Sequence, residues 1–349
     1  MQEIYFPLLK ERPGLIRKIL NGYFNTLVLR KPVLKSIEFS ITTKCNSRCE
    51  MCFAYNYRDS QKKELSAQEV RNVWLQAKKL GAIGSYLLGG EPTIREDLFE
   101  ILEALEAKKY LVGIVTNSLL LGEEFIKKLK RSGVTFLSFS LDSLNEEEND
   151  ELRNCPGHYK KVISAIALAK AHKFRTDISC LLSHSTLPKI EEFIDFALRL
   201  GVDYIAPSVM VPVGNWANAD SEILTENDWI RINELIKKYH FLKFDFLQNF
   251  SLKQACPGGI EKLAIGPYGD VMICNVNPIS FGNIREESLD TIWKRVHKFK
   301  FFKLGRNYKN CVVAADKEYQ NEILKPISAI KQQPVFYLDH PSNINKYFT

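Results

Sequence analysis

From Ser36 onward, short apolar runs take turns with longer segments in which apolar positions recur every three or four residues. Runs rich in β-branched and aromatic residues read as strands: Ile37–Thr42, Ser85–Leu88, Val112–Thr116, Phe136–Leu141, Asp177–Leu182 and Tyr204–Ser208. Helical periodicity between them predicts helices over Ala67–Leu80, capped by Ser66, and over Arg95–Lys108, Glu123–Ser132, Tyr159–His172 and Pro188–Leu200. Gly81, Gly133 and Gly201 stop three of these helices. Strands that alternate with helices pair in parallel through right-handed crossovers. Six such units predict an α/β fold, a partial (βα)6 TIM-like barrel that falls short of closure.

The pattern changes at both ends. Residues 1–35 form an N-terminal extension in which Pro13 suits the first turn of a helix reaching about Leu29. Leu15, Ile16, Ile19, Leu20, Tyr23, Phe24, Leu27 and Val28 recur there at helical spacing, among Arg12, Arg17, Lys18, Arg30 and Lys31. Such a basic amphipathic helix either packs on the barrel, the commoner fate of an apolar stripe, or makes peripheral contact with a membrane surface. The barrel core is expected over 36–220. Beyond residue 210 the rhythm fades into a loop-like stretch, Pro212–Asp220. A helix near Glu226–Tyr239 then opens a small C-terminal domain at 221–330, followed by a tail at 331–349. No run of 18 apolar residues predicts a transmembrane span, and Glu3, Pro7 and the absence of a small-residue cleavage site argue against a secretion signal. A cytoplasmic location follows as the expectation.

Charge adds little. The 48 basic and 41 acidic side chains leave a diffuse excess of +7 with no aromatic-interleaved basic motif, so no nucleic acid is expected. The eight cysteines change the picture more. Disulfides are improbable in a reducing compartment, so clustered cysteines point to metal or redox chemistry. Cys45, Cys49 and Cys52 have the spacing C-x3-C-x2-C directly after the first predicted strand. Thiolates are the usual ligands of iron–sulfur clusters, and three of them leave one iron of a [4Fe–4S] unit open. A zinc site would want a fourth Cys or His, and the loop holds none. Gly89-Gly90-Glu91-Pro92 follows the second strand, Thr116-Asn117 the third, and Ser140 and Asp142 mark the end of the fourth. Folds of this class place their chemistry at that rim.

These motifs together resemble the radical S-adenosylmethionine (SAM) superfamily, over roughly Ser36 to the C-terminal region. The resemblance implies that the three cysteines hold a [4Fe–4S] cluster whose open iron is chelated by the amino and carboxylate groups of SAM. An external one-electron donor such as flavodoxin or ferredoxin would supply the electron that cleaves SAM to methionine and a 5′-deoxyadenosyl radical, which abstracts a substrate hydrogen. It also implies a cofactor site: Gly89, Gly90, Glu91 and Pro92 at the SAM amino group, Thr116 and Asn117 at the ribose, and Ser140 and Asp142 beside them. Arg153 would pair with the SAM carboxylate. The family's usual aromatic before the last cysteine is Met51 here, and Phe53, just after it, would cover the adenine.

Further along, Cys256-Pro-Gly-Gly, the Gly269-x4-Cys274 hairpin turning at Tyr-Gly-Asp, Phe281-Gly-Asn-Ile, the stretch Ser288–Trp293 and Cys311 resemble the SPASM/Twitch extension of these enzymes. That extension carries auxiliary iron–sulfur clusters. Three cysteines imply one auxiliary cluster at most, and Ala314 stands where one subgroup has a fourth. An open iron, a non-cysteine ligand, Cys155 or Cys180 brought in by the fold, and a degenerate module without a cluster all stay open. Cys155 is also a candidate hydrogen-atom donor to a substrate radical. The resemblance favours oxidation or rearrangement of a small-molecule (alcohol or sugar-like) substrate, because 35 residues are too few for a leader-peptide-binding domain. The alternatives are a peptide-modifying maturase and, from a different class, a non-catalytic iron–sulfur electron carrier or scaffold.

Overall fold

The computed structural model describes residues 11–244, 256–302 and 310–348. Glu3 and Pro7, and parts of the units expected at 1–35, 221–330 and 331–349, lie outside the described residues.

Strands β1 (Ser36–Thr42), β2 (Gly84–Gly89), β3 (Leu111–Thr116), β4 (Phe136–Ser140) and β5 (Arg175–Ser179) run parallel and neighbour one another in chain order. Two-residue strands follow: β6 (Leu181–Leu182), β7 (Tyr204–Ile205) and β8 (Ser208–Val209). β7 extends the sheet beside β5, while β6 and β8 pair separately. Ser36 lies opposite Gly84, Gly84 opposite Leu111, and Phe136 opposite both Gly113 and Arg175. The expected six-strand parallel sheet is therefore present, with two strands added at one edge. β9 (Lys262–Ile265), from the C-terminal third, joins parallel to β1 with Lys262 opposite Ser36, and β10 (Val271–Met272) turns back antiparallel to it. β1 is thus an interior strand. This explains why six of its seven residues are buried although the strand alternates polar and apolar residues, with Glu38, Ser40 and Thr42 buried beside Ile37, Phe39 and Ile41.

The helix Ala67–Leu80 begins and ends as its sequence dictates. The Ser66 hydroxyl accepts from Glu69 N, the Glu69 carboxylate accepts from Ser66 N at 2.8 Å, and Gly81 closes the last turn at φ 113°. Val70, Val73, Trp74 and Ala77 form its buried face. The second expected helix is shorter, Leu98–Ala104. Its predicted start is drawn away because the Arg95 side chain binds the Ile41 and Leu65 carbonyls and the Asp97 carboxylate. Its end is set by Glu106 at φ 53°. An unpredicted helix, Glu146–Leu152, capped by Asn145, leads to Arg153.

At the start of the described chain, the helix Gly14–Tyr23 continues as a π-helical turn over Phe24–Val28. Leu15, Ile19 and Tyr23 pack on Val33, Ile83, Leu111 and Phe136, at the N-terminal ends of the strands. At the other end, β11 (Ile279–Ser280) pairs with β12 (Val335–Phe336), and Ile344 and Tyr347 are buried. The Phe348 ring lies 4.9 Å from that of Phe299, so residues 331–348 are packed into the C-terminal domain. Among the described residues, no helix is long and apolar enough to cross a membrane.

Candidate active site

A cavity of about 430 Å³ runs from the C-terminal rim of the sheet down to Ile83, Leu111 and Phe136. Cys45, Cys49, Cys52, Phe53, Gly89, Gly90, Glu91, Thr116, Asn117, Ser140, Asp142 and Arg153 all line it, and so do Cys256, Cys274 and Cys311. Both cysteine sets therefore face one space. Pro92 is buried behind the lining, at the first position of the 3-10 turn Pro92–Ile94. Cys155 is absent from the lining, whereas the buried Cys180 is part of it.

The cysteine loop is fixed by neighbours on every side. Glu64 accepts from Thr42 Oγ1 and Thr43 N, at 2.8 and 2.9 Å. Gly90 N donates to Thr42 O at 2.7 Å and Glu91 N to Lys44 O at 2.9 Å, so the second loop is laid directly on the first. This contact requires glycine. A Cβ on Gly89 (φ 133°) would sit 2.4 Å from Thr42 O, and one on Gly90 would sit 2.0 Å from Lys44 O. Ser47 Oγ donates to Arg153 O at 2.7 Å, and Glu50 N to Leu152 O at 2.9 Å. From the stretch read only as a loop in the sequence, Asn215 N donates to Cys52 O and Asn215 Nδ2 to Cys49 O. Gly214, at φ 61°, permits this close approach.

Glu91 is buried and its carboxylate is fully engaged. It accepts from Thr93 N (3.0 Å), Thr93 Oγ1 (2.6 Å), Thr116 Oγ1 (2.8 Å) and Asn117 N (2.7 Å). It acts as a strut between the second and third loops. Burial raises its pKa, against the pull of these hydrogen bonds. Asn117 Nδ2 in turn reaches Asn46 at 2.7 Å and Cys45 Sγ at 3.8 Å. Arg153 is largely but not fully buried, pairs with Asp142, and points Nη1 at Cys49 Sγ from 4.0 Å. Asp142 also accepts from Leu181 N at 2.8 Å. Burial opposes the Arg153 charge, but Asp142 and the nearby thiols outweigh it and raise its pKa.

The second set is tied to the same strand that delivers the first. Lys262 Nζ on β9 donates to Glu38 Oε1 on β1 at 2.8 Å, in the interior. Asn275, next to Cys274, donates from Nδ2 to the other Glu38 oxygen, and its carbonyl accepts from Tyr57 OH at 2.9 Å. Tyr319 OH donates to Asn277 Oδ1 at 3.0 Å, and Asn277 N donates to Cys274 O. Sequence reasoning missed Glu38, Lys262, Asn275 and Asn215. Each acts through a partner more than 150 positions away, and local periodicity carries no such signal.

Burial pushes the Cys45 thiol up to about 11, with Glu91, Cys49 and Cys52 adding to the effect. Burial likewise raises Cys52 and Cys274, and takes Cys311 to about 12. Without bound metal these thiols stay protonated at neutral pH, and ligation must expel their protons. Among the described residues, no group of three His, Cys, Asp or Glu side chains is placed to hold a metal ion, and the thiols face a wider space. Other features fit a larger group with an anionic ligand. Among the described residues Arg153 Nε is buried without a partner, and the Gly89-Gly90 backbone leaves room where any side chain would intrude. At the second set, Asn277 Nδ2 is buried and also lacks a partner among the described residues.

Residues 39–197 match the model of the Radical SAM superfamily, and residues 256–314 match that of SPASM, an iron–sulfur cluster-binding domain. The chain belongs to the radical SAM superfamily and carries a SPASM domain. Its cofactors are accordingly a [4Fe–4S] cluster and SAM, with auxiliary iron–sulfur at the SPASM domain; bound, they supply one-electron cleavage of SAM and radical chemistry on a substrate. Similar proteins include an AdoMet-dependent heme synthase of Methanosarcina barkeri, 26% identical over 76% of this chain and 83% of that protein. A tungsten-containing aldehyde ferredoxin oxidoreductase cofactor-modifying protein of Pyrococcus furiosus is 27% identical over 80% and 86%. The PqqA peptide cyclase of Rhizobium meliloti is 25% identical over 75% and 74%. Among solved structures, Streptococcus suis SuiB bound to its precursor peptide SuiA shares the fold. It superposes with a TM-score of 0.61 at 20% identity, covering 79% of this chain and 67% of that one.

Proposed function

We propose that this protein is a peptide-modifying radical SAM enzyme. Cys45, Cys49 and Cys52 hold the catalytic cluster, with Gly89, Gly90 and Arg153 around SAM and Glu91 bracing the loops that carry them. Cys256, Cys274 and Cys311 hold the auxiliary one. The observation that carries this reading is the single cavity lined by both cysteine sets. One substrate bound there meets both redox sites, the arrangement that a net two-electron oxidation of a substrate uses. Similarity to a peptide cyclase favours a peptide over the small-molecule substrate expected from the short N-terminal extension. The heme synthase, equally similar, keeps a small-molecule reading as the second candidate.

The test is deuterium transfer. Extract from host cells grown on deuterated medium is separated into peptide and small-metabolite fractions. Each is incubated anaerobically with reconstituted enzyme, SAM and reductant. The proposal predicts deuterium in 5′-deoxyadenosine from the peptide fraction, abolished by prior protease digestion. Label arriving only from the small-metabolite fraction refutes it.

A further inference from the structure

The N-terminal helix has two apolar faces, and the barrel uses only one. Leu15, Ile19 and Tyr23 cover the N-terminal ends of the strands. Ile16, Leu20, Phe24, Leu27, Val28 and Leu29 point away from it, with Leu20 and Val28 each 63% exposed. These six make up half of the twelve large apolar side chains exposed among the described residues, and they fall within fourteen consecutive positions. The others are scattered singly, as on any surface. A concentrated patch of this kind marks an interaction site.

Its surroundings say what covers it. Between Arg12 and Lys31 there is no acidic residue, and Arg17, Arg30 and Lys31 are exposed at the borders of the patch. Arg12 is held by the Ala107 and Gly133 carbonyls, and Lys18 lies over the Tyr110 ring, so the helix is docked in one orientation at this end of the barrel. The five helix-to-strand turns at the same end (residues 78–83, 104–110, 129–135, 170–174 and 199–203) carry nine Lys or Arg against two acidic residues. Cations there complement the helix dipoles, which accounts for their presence singly. Together they make the apolar stripe the centre of a basic face. A second copy of this chain docking by two-fold symmetry would bring two such faces together and be repelled. An anionic bilayer matches both features, taking the apolar side chains below its headgroups and the basic rim at its surface.

We infer that this protein docks on an anionic membrane surface through the outer face of the helix at Gly14–Val28. The sheet's N-terminal end then faces the bilayer, and the rim with Cys45, Cys49 and Cys52 faces away, so substrate enters from the aqueous side. The inference is independent of the substrate proposed above.

The reconstituted full chain is floated with phosphatidylcholine vesicles, with and without phosphatidylglycerol. Binding is expected only to the anionic vesicles. It should weaken with salt and fall at least tenfold in the L20S/F24S variant, whose altered side chains are on the outer face and leave the fold intact by circular dichroism. Arg17→Gln and Lys31→Gln should each cost roughly fivefold. Equal partitioning of wild type and L20S/F24S overturns the inference. So does a dimer in sedimentation that L20S/F24S dissociates, since the patch would then be a self-interface, and so does binding to nucleic acid without vesicle binding.

Discussion

Replacing Gly90 by alanine probes the joint on which the candidate site depends. A Cβ at this position falls 2.0 Å from Lys44 O and 2.6 Å from Lys44 C, both backbone atoms that no rotamer change can move. Relief requires the backbone next to Cys45 to retreat by about 1 Å, since real Cβ contacts stay beyond 3.0 Å. The shift strains the hydrogen bonds from Gly90 N to Thr42 O and from Glu91 N to Lys44 O. Overpacking of this kind, with one or two weakened buried hydrogen bonds, costs about 2–4 kcal/mol. A displacement of that size at a reactive site also lowers turnover by about 100-fold or more. G90A should therefore show a clear loss of stability in urea unfolding of the metal-free protein and a collapse of 5′-deoxyadenosine formation in the reconstituted enzyme. Gly122→Ala is the control, because its Cβ meets nothing within 4 Å and its φ is −115°. Wild-type stability and product formation in G90A would refute the claim that this glycine sets the cysteine loop.

Three further predictions follow from the same geometry. Arg153→Met leaves Asp142 buried without its partner and should cost about 3–5 kcal/mol in urea unfolding, a loss that R153M/D142L partly restores. Ser66→Ala removes one half of a capping box and should cost about 1 kcal/mol with no effect on SAM binding. His158 is fully buried, and burial, assisted by the Arg153 charge, lowers its pKa from 6.5 to about 4. Between those values the unfolded chain binds more protons than the folded one. This contribution is thus intact above pH 6.5 and is lost as pH falls toward 4, by roughly 3 kcal/mol. The pH dependence of unfolding should flatten by that amount in His158→Gln, and an unchanged profile would contradict the assignment.

What the sequence revealed and what it hid divide by range of interaction. The helix Ala67–Leu80 could be read to the residue because Ser66, Glu69 and Gly81 act within a turn of their own backbone. The rim motifs could be read because each follows a strand whose apolar run is itself local. β9 could not, since four residues of Lys-Leu-Ala-Ile resemble many loops and the partner strand β1 lies more than 220 positions away. The same distance hid the pairing of Glu38 with Lys262 and Asn275, which makes β1 the common support of both cysteine sets. The N-terminal helix was ambiguous for a different reason. Its apolar residues supply two faces, and periodicity alone cannot say that the barrel takes only one.

The central claim is that Cys45, Cys49 and Cys52 form a SAM-cleaving site. It is tested most directly by incubating anaerobically reconstituted protein with SAM and dithionite and measuring 5′-deoxyadenosine beside a variant with all three cysteines changed to alanine. The structure predicts product from the wild type and none above background from the variant. Equal amounts from both would contradict it.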